Sequence, residues 1–298
     1  GQSCAAYTDI AAVAASETAM TAVAASETAM AAVVRNATAL NAVVTSQVAL
    51  NAVAASETAM AAVIGNATAL NVVATSQAAM NAVAASETAM TAVIANTAAF
   101  NTVVTSHVAM NAVASSYVAV AAVYESAVAV EAVKANETAW ATLTGASSAV
   151  MGKAAAKLAG LNPADYADMT AVAASSTAMA AVAASSTAMT AVASSNTALT
   201  AITNSATAKN ALTSSPLKTT VTKGNGNGWE NRTIRNGMGY LISCFNANSG
   251  GEAGSTWYKL DGAQTSQPAG TTNVGKFFTS SLAIYWWSST SSVTYIPC

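Results

Sequence analysis

A ten-residue repeat runs through most of this chain and limits what it can fold into. From Ala11 to Trp140 there are thirteen consecutive decads, each with Val at its third place and most with Met or Leu at its tenth. A second period of thirty residues overlies the first, because the segments 22–51, 52–81 and 82–111 align with one another. Such self-similarity indicates duplication of a three-decad unit in a fibrous or repeat protein.

The amino-acid composition limits the classes of function that this chain can have. The 298 residues are 53% hydrophobic, 8% charged and 6% aromatic, whereas typical soluble domains have roughly 25% charged residues. Because the apolar content is mostly small methyl groups, this composition excludes an ordinary globular enzyme, and we predict no catalytic activity, metal or cofactor. A net charge of -2 leaves no basic surface for nucleic acid. No apolar run approaches the ~20 residues of a membrane span, so we predict no membrane insertion.

The decads predict α-helices. They contain one glycine, Gly65, and no proline, and they are rich in Ala, Met, Leu and Glu. At helical spacing, Val at the third place and the large residue at the tenth fall on one face. In a continuous helix this stripe drifts by about 80° per decad, so the helices must supercoil. We predict a fibrous, mainly α-helical parallel trimeric coiled coil. A β-solenoid shaft, favoured by Val and Thr, is the alternative.

Breaks in the repeat and a change of composition divide the chain. Glycines and an Asn-Pro pair interrupt the decads near residue 150, and residues 224–298 hold 11 of the 17 aromatic residues and 11 of the 16 glycines. Short apolar runs between Gly, Asn and Ser loops predict a small all-β C-terminal tip there. We predict an N-terminal segment at residues 1–10, whose start is processed or truncated, followed by a decad shaft at 11–143 and a hinge at 144–163. A second shaft at 164–215, a Gly/Asn linker at 216–228 and the tip at 229–298 complete the chain.

The tip supplies the candidate binding residues. Exposed aromatic side chains beside small polar residues form contact surfaces for sugars or proteins. The candidates for receptor binding are Trp257, Tyr258, Tyr285, Trp286 and Trp287. Packing inside the tip is the alternative for each ring, but adjacent strand residues point to opposite faces, so either Trp286 or Trp287 should lie outside the core or at a subunit boundary.

Polar residues within the shaft have a structural interpretation. Asn36, Asn66 and Asn96 recur at the sixth place of every third decad, where a buried amide at the seam would fix the register and the number of strands. The single histidine, His107, replaces a glutamine found at the same place in earlier decads, and we interpret it as a solvated substitute. The acidic residues Glu252 and Asp261 in the tip lack a partner for two-carboxylate hydrolysis.

The three cysteines have an odd count and no metal-binding spacing. Cys244 and Cys298 can form a disulfide within the tip, and two buried free thiols are the alternative. Cys4 lies far from both in sequence.

The decads AVAASETAM, AVAASSTAM and AVASSNTAL resemble those of bacteriophage tail-fibre and related tail-appendage proteins. The tip sequence IRNGMGYLISCFNANSGG is similar to small C-terminal domains of tail fibres. The resemblance implies an extracellular virion protein: a homotrimeric shaft, attached to other virion tail proteins, that presents a tip to a glycan or protein receptor on the bacterial surface.

Three other functions remain open from the sequence. A structural connector or filament subunit would use the tip for trimer assembly. A bacterial trimeric surface adhesin would have the same physical organisation of shaft and tip. An ice-binding protein would need Thr on one flat helical face, whereas a decad rotates Thr by about 80° per repeat.

Overall fold

A computed structural model describes residues 7–248 and 255–298, so Cys4, Glu252 and most of the predicted N-terminal segment lie outside the described residues. The chain divides into two compact units, Gly1–Val150 and Met151–Cys298. The boundary falls within the segment predicted as a hinge. In the described part of the first unit, every decad forms one short helix.

The helices of the first unit are α1 (Ile10–Ala15), α2 (Glu17–Ala24), α3 (Glu27–Arg35), α4 (Ala37–Val44), α5 (Gln47–Ala54), α6 (Glu57–Ile64), α7 (Ala67–Thr75), α8 (Gln77–Ala85), α9 (Glu87–Ala95), α10 (Thr97–Thr105), α11 (His107–Ala114), α12 (Tyr117–Glu125), α13 (Ala127–Lys134) and α14 (Glu137–Thr144). Beyond α1, which is capped by Asp9, each begins after a Ser or Asn at the sixth place of the decad.

Ser56 illustrates how the sixth place ends one helix and starts the next. Its backbone is extended, with φ -112° and ψ 118°, and its Oγ accepts a hydrogen bond from the backbone N–H of Ala59 at 3.2 Å. This is the N-cap geometry that Ser and Asn favour, because the side chain replaces a missing helical acceptor. The chain can therefore change direction every ten residues without glycine or proline.

Successive helices form coils of three. The pairs α4–α5, α6–α7, α8–α9 and α11–α12 are bent by 97–104°, so each helix returns close to the helix three decads before it and packs against it. The third-place Val and the tenth-place residue, such as Val63 and Met60, are buried inside the coil. The first unit is therefore an α-solenoid, and the thirty-residue period is one coil.

The predicted trimeric coiled coil is wrong, and so is the alternative β-solenoid. Helix formation and the shared burial of Val and Met are confirmed, but the sixth place caps helices and does not continue the stripe. Isolated helices of eight or nine residues are marginal in water, and stacking between coils stabilises them here. Because the stripe is buried within one chain, it no longer gives a reason for a homotrimer.

The second unit contains helices and two sheets. Its described helices are α15 (Ser148–Leu158, which begins in the first unit), a 3-10 helix (Pro163–Asp165), α16 (Met169–Ala174), α17 (Ser176–Ala184), α18 (Ser186–Ser194), α19 (Asn196–Thr203) and α20 (Ala206–Thr213). From α16 onward the ten-residue caps resume, for example at Ser205, whose Oγ accepts a hydrogen bond from the backbone N–H of Ala208 at 3.1 Å.

The C-terminal segment is all-β, as the sequence indicated. Its strands are β1 (Thr219–Thr222), β2 (Glu230–Asn236), β3 (Gly239–Asn246), β4 (Trp257–Leu260), β5 (Ala263–Ser266), β6 (Gly270–Phe278), β7 (Ser281–Trp286) and β8 (Ser292–Pro297). They form two antiparallel sheets of four strands, the first in the order β1-β8-β3-β6 and the second in the order β2-β7-β4-β5.

The central strands of the first sheet, β3 and β8, have buried side chains on both faces. Tyr240 and Ile296 pack with Val182 and Leu212 of the helices in one apolar cluster, whereas Leu241 and its neighbours pack against the second sheet in another. The strands β1–β8, which we call the β segment, therefore cover the end of the second helical repeat, formed by α16–α20. Residues 219–222, assigned to the linker from the sequence, form the edge strand β1.

Across the described ranges, no single helix is both long and apolar enough to cross a membrane. Five pairs of consecutive helices would meet those criteria together, but each pair is bent by 97–104°.

Candidate functional site

The outer face of the second sheet carries the best candidate site. Strand β7 alternates, so that Leu282, Ile284 and Trp286 point into the core while Tyr285 points outward. Trp286 is 1% exposed and Tyr258 of β4 is also buried. Of the five aromatic residues predicted from the sequence, these two therefore belong to the core.

The other three predicted aromatic residues meet on the outer face. Trp257 and Tyr285 are directly opposite in the β4–β7 register, and their rings stack with centroids 5.2 Å apart. Trp287, which follows β7, is half-buried. The expectation that one of the adjacent pair Trp286 and Trp287 lies outside the core is confirmed.

A fourth ring, Trp229, completes the group and was missed by the sequence analysis. Its ring stacks on Tyr285 at 4.7 Å with an interplanar angle of 7°, and it makes an edge contact with Trp287 at 5.5 Å. Trp229 directly follows the Gly/Asn segment that was interpreted as linker. We call Trp229, Tyr285, Trp257 and Trp287 the aromatic row.

Strand order explains the row. Because β7 lies between β2 and β4, Tyr285 stands between Trp257 on one side and Trp229 on the other. Stacked aromatic pairs contribute about 0.5–1.5 kcal/mol beyond their buried area. Both faces of the Tyr285 ring are covered, one by Trp229 and one by Trp257, so a ligand would meet the ring edges and Trp229, which is 38% exposed.

Polar side chains surround the row. The register places Asn231 opposite Tyr285 and Ser266 opposite Trp257, so both project from the same face as the rings. Lys259 lies two residues along β4, and its Nζ is 4.5 Å from the centroid of the Trp257 ring. Lys259 makes no ion pair with a described residue.

The chemistry of this surface favours oxygen-rich, negatively charged ligands. The edge of an aromatic ring is the positive part of its quadrupole, and the Trp N–H and Tyr O–H groups lie on that edge as donors. Lys259 adds a full positive charge, and Asn231 adds an amide. Together these groups can bind hydroxyl, carboxylate or phosphate groups.

The predicted asparagine residues lie elsewhere and have another role. Asn36, Asn66 and Asn96 cap α4, α7 and α10, and each Oδ1 accepts from a backbone N–H at 3.0 Å. They therefore begin short helices, and the predicted role in a coiled-coil seam is wrong. His107 is exposed, as expected, and its Nδ1 lies 3.0 Å from Asn111 Nδ2.

Of the two alternatives left open for Cys244 and Cys298, the structure has two free thiols and no disulfide between them. They pack against different clusters, Cys244 between the sheets and Cys298 on the helix side. Burial raises the pKa of each thiol to about 12, and for Cys298 the nearby Arg235 partly offsets that increase.

The acidic residue Asp261 has a structural role at the opposite end of β4. Its carboxylate accepts hydrogen bonds from the backbone N–H groups of Thr279, Ser280 and Ser281 at 2.6–3.0 Å. Burial raises the pKa of this carboxyl group, but these bonds outweigh it and lower the pKa to about 2. Within the described residues, no group of three His, Cys, Asp or Glu side chains is placed to hold a metal ion.

No protein-family model matches the chain, and no curated protein matches it significantly.

Proposed function

We propose that this chain is a bacteriophage tail attachment protein whose β segment binds an anionic glycan on the bacterial surface. The observation that carries the proposal is the aromatic row on the outer face of the second sheet, with Lys259 held against Trp257. The resemblance of the decads to tail-appendage proteins supports the biological setting.

The distribution of side chains supports a binding role for the β segment and a structural role for the decads. In the first unit the same few residues recur from coil to coil, whereas the β segment gathers most of the aromatic residues. The charge is also uneven: residues 223–298 contain five Lys or Arg and three Asp or Glu, and residues 1–140 contain two and eight. This distribution favours contact of the β segment with an anionic surface.

The test uses the full chain with two probes: purified bacterial lipopolysaccharide, which is anionic, and dextran, which is neutral. We expect tighter binding to lipopolysaccharide, at least tenfold loss of affinity in Trp229→Ala, and weaker, less salt-sensitive binding in Lys259→Gln. Trp140→Ala is the matched control, because Trp140 also lies beside a lysine, Lys134, but on the solenoid.

Two outcomes would overturn the proposal. One is that the wild-type chain binds neither lipopolysaccharide nor whole cells from a panel of bacterial hosts. The other is that Trp229→Ala binds as well as Trp140→Ala.

A second function is favoured by the cluster that joins the first sheet to the helices. Solenoids need a terminal element with a polar outer face to cover the last apolar layer. Tyr240, Ile242 and Ile296 cover Val182, Ile202 and Leu212 in this way. We therefore infer that the β segment also serves as a structural cap, and that a chain truncated after Thr213 aggregates. A soluble, helical truncated chain would contradict this role.

A further inference from the structure

We propose that Asn248 is a positioning residue for the aromatic row, holding in place the two strand ends that carry Trp257 and Trp287. This inference rests on the proposed binding function of the row, and its first measurement is independent of any ligand. It starts from a group of buried polar residues at one end of the two sheets that neither the fold nor the row itself explains.

The polar group contains five nearly inaccessible side chains. Asn246 and Asn248 lie at the end of β3 and just after it, Thr256 precedes β4, Gln267 follows β5 and Ser291 precedes β8. Each of the five is 1–6% exposed. Buried polar groups are costly unless they form hydrogen bonds, so their bonds specify one arrangement of the chain.

Asn248 uses both ends of its amide in this group. Its Nδ2 donates to Thr256 Oγ1 at 3.2 Å, and its Oδ1 accepts from the backbone N–H of Ser288 at 3.0 Å. Thr256 immediately precedes Trp257, and Ser288 immediately follows Trp287. The side-chain amide of Asn248 therefore connects the two backbone segments that carry Trp257 and Trp287.

The amide of Asn248 is itself held in position. Its backbone N–H donates to Asn246 Oδ1 at 3.1 Å, and Asn246 Nδ2 donates to the carbonyl oxygen of Gln267 at 2.9 Å. Gln267 in turn donates its backbone N–H to the carbonyl oxygen of Thr256 at 2.8 Å. These bonds form a closed circuit, so Asn248 cannot move without breaking several of them.

The third tryptophan is attached to the same end. The backbone N–H of Gly228, which precedes Trp229, donates to the carbonyl oxygen of Trp287 at 2.9 Å. A shift of Trp287 would therefore move Trp229 and change both of its ring contacts. Loss of the Asn248 bonds should loosen the row while leaving the core residue Trp286 in place.

Aromatic circular dichroism reads the row directly, because stacked rings at these distances couple their transitions. In the full chain, we expect Asn248→Ala to lose at least half of that signal while keeping the helical far-ultraviolet signal. The matched control is Asn273→Ala, since Asn273 is an exposed asparagine of β6, and it should keep both signals.

A pair of substitutions at Thr256 decides the case if Asn248→Ala also loses its helical signal. Thr256→Ser keeps the Oγ acceptor and should retain the aromatic signal, whereas Thr256→Val has a similar volume without the oxygen and should lose it. Binding of lipopolysaccharide should weaken at least fivefold in Thr256→Val and stay within twofold in Thr256→Ser.

The inference is overturned if Thr256→Val and Thr256→Ser give the same aromatic signal as the wild type. If the wild-type chain binds no lipopolysaccharide, the proposed function fails, and the aromatic signals of the same variants still decide whether Asn248 positions the rings.

Discussion

The hydroxyl of Ser56 lies 2.6 Å from the carbonyl oxygen of Ala24, which is 32 residues earlier and one coil away. The same bond, from a Ser hydroxyl to the carbonyl oxygen of an Ala 32 residues earlier, recurs in both units, and its acceptors are Ala14, Ala24, Ala54, Ala74, Ala84, Ala173 and Ala183. A small side chain at the fourth place lets the next coil approach that carbonyl group.

Asparagine caps occur where the fourth place is larger. Val34 and Ile64 lie 32 residues before Asn66 and Asn96, and these two amides cap their own helices through Oδ1. A larger fourth place does not by itself select asparagine, because Val44 and Ile94 lie 32 residues before the serine caps Ser76 and Ser126.

Replacing Ser56 with Ala should destabilise the local coils by about 1–2 kcal/mol, because it removes both an N-cap and a bond between coils. Hydrogen exchange at the backbone N–H of Ala59 should accelerate accordingly. Ser115→Ala is the control, since the Ser115 hydroxyl is exposed and bonds within its own helix. Equal exchange in the two variants would contradict the role assigned to Ser56.

Gly152→Ala should destabilise the second unit by about 1–3 kcal/mol through overpacking. A Cβ at this position would lie 2.2 Å from the carbonyl carbon of Asp168, which is too close for any neighbour to accommodate without backbone movement. Gly65→Ala is the matched control, because other decads have Ala at the same place, and it should be neutral or stabilising. Thermal unfolding of the two variants measures the difference.

Both described thiols should be unreactive in the native chain. Raising a thiol pKa from 9.0 to about 12 lowers the thiolate fraction at pH 8 by about three orders of magnitude. In a Cys4→Ser background without reductant, a thiol reagent should label neither cysteine until denaturant is added, and should then label two per chain. Labelling of none after unfolding would indicate a disulfide between Cys244 and Cys298.

Much of the fold could be read from the sequence, but the bends could not. Helix content, the buried Val and Met face and the all-β C-terminal segment follow from local pattern. The sixth-place Ser and Asn were interpreted as part of a continuous stripe, although a Ser or Asn before an alanine-rich run is also an N-cap signal. Whether such a residue caps or continues a helix depends on the coil that packs beside it.

The candidate site could also be predicted only in part from the sequence. Alternation along β7 separates Trp286 from Tyr285 once a strand is assumed. Trp257 was predicted only as an aromatic residue close to small polar residues, and its position opposite Tyr285 comes from the β4–β7 register. Trp229 also lies beside small polar residues but was assigned no role, because its contact with Tyr285 depends on the pairing of β2 with β7, 56 residues later.

The last prediction concerns acid stability at Asp261, whose carboxylate ties β4 to the turn before β7. The pKa of this group is lowered in the folded chain to about 2 from an ordinary value of 3.8. Its contribution to stability is therefore present above about pH 4 and is lost as the pH falls toward 2.

Asp261→Asn cannot offer two acceptor oxygens to three backbone N–H groups, so it should be less stable at pH 7 and show a flatter profile between pH 4 and 2. Ser280→Ala removes only one hydroxyl donor and should give an intermediate profile. Urea midpoints measured across this range test the prediction, and an unchanged slope in Asp261→Asn would contradict it.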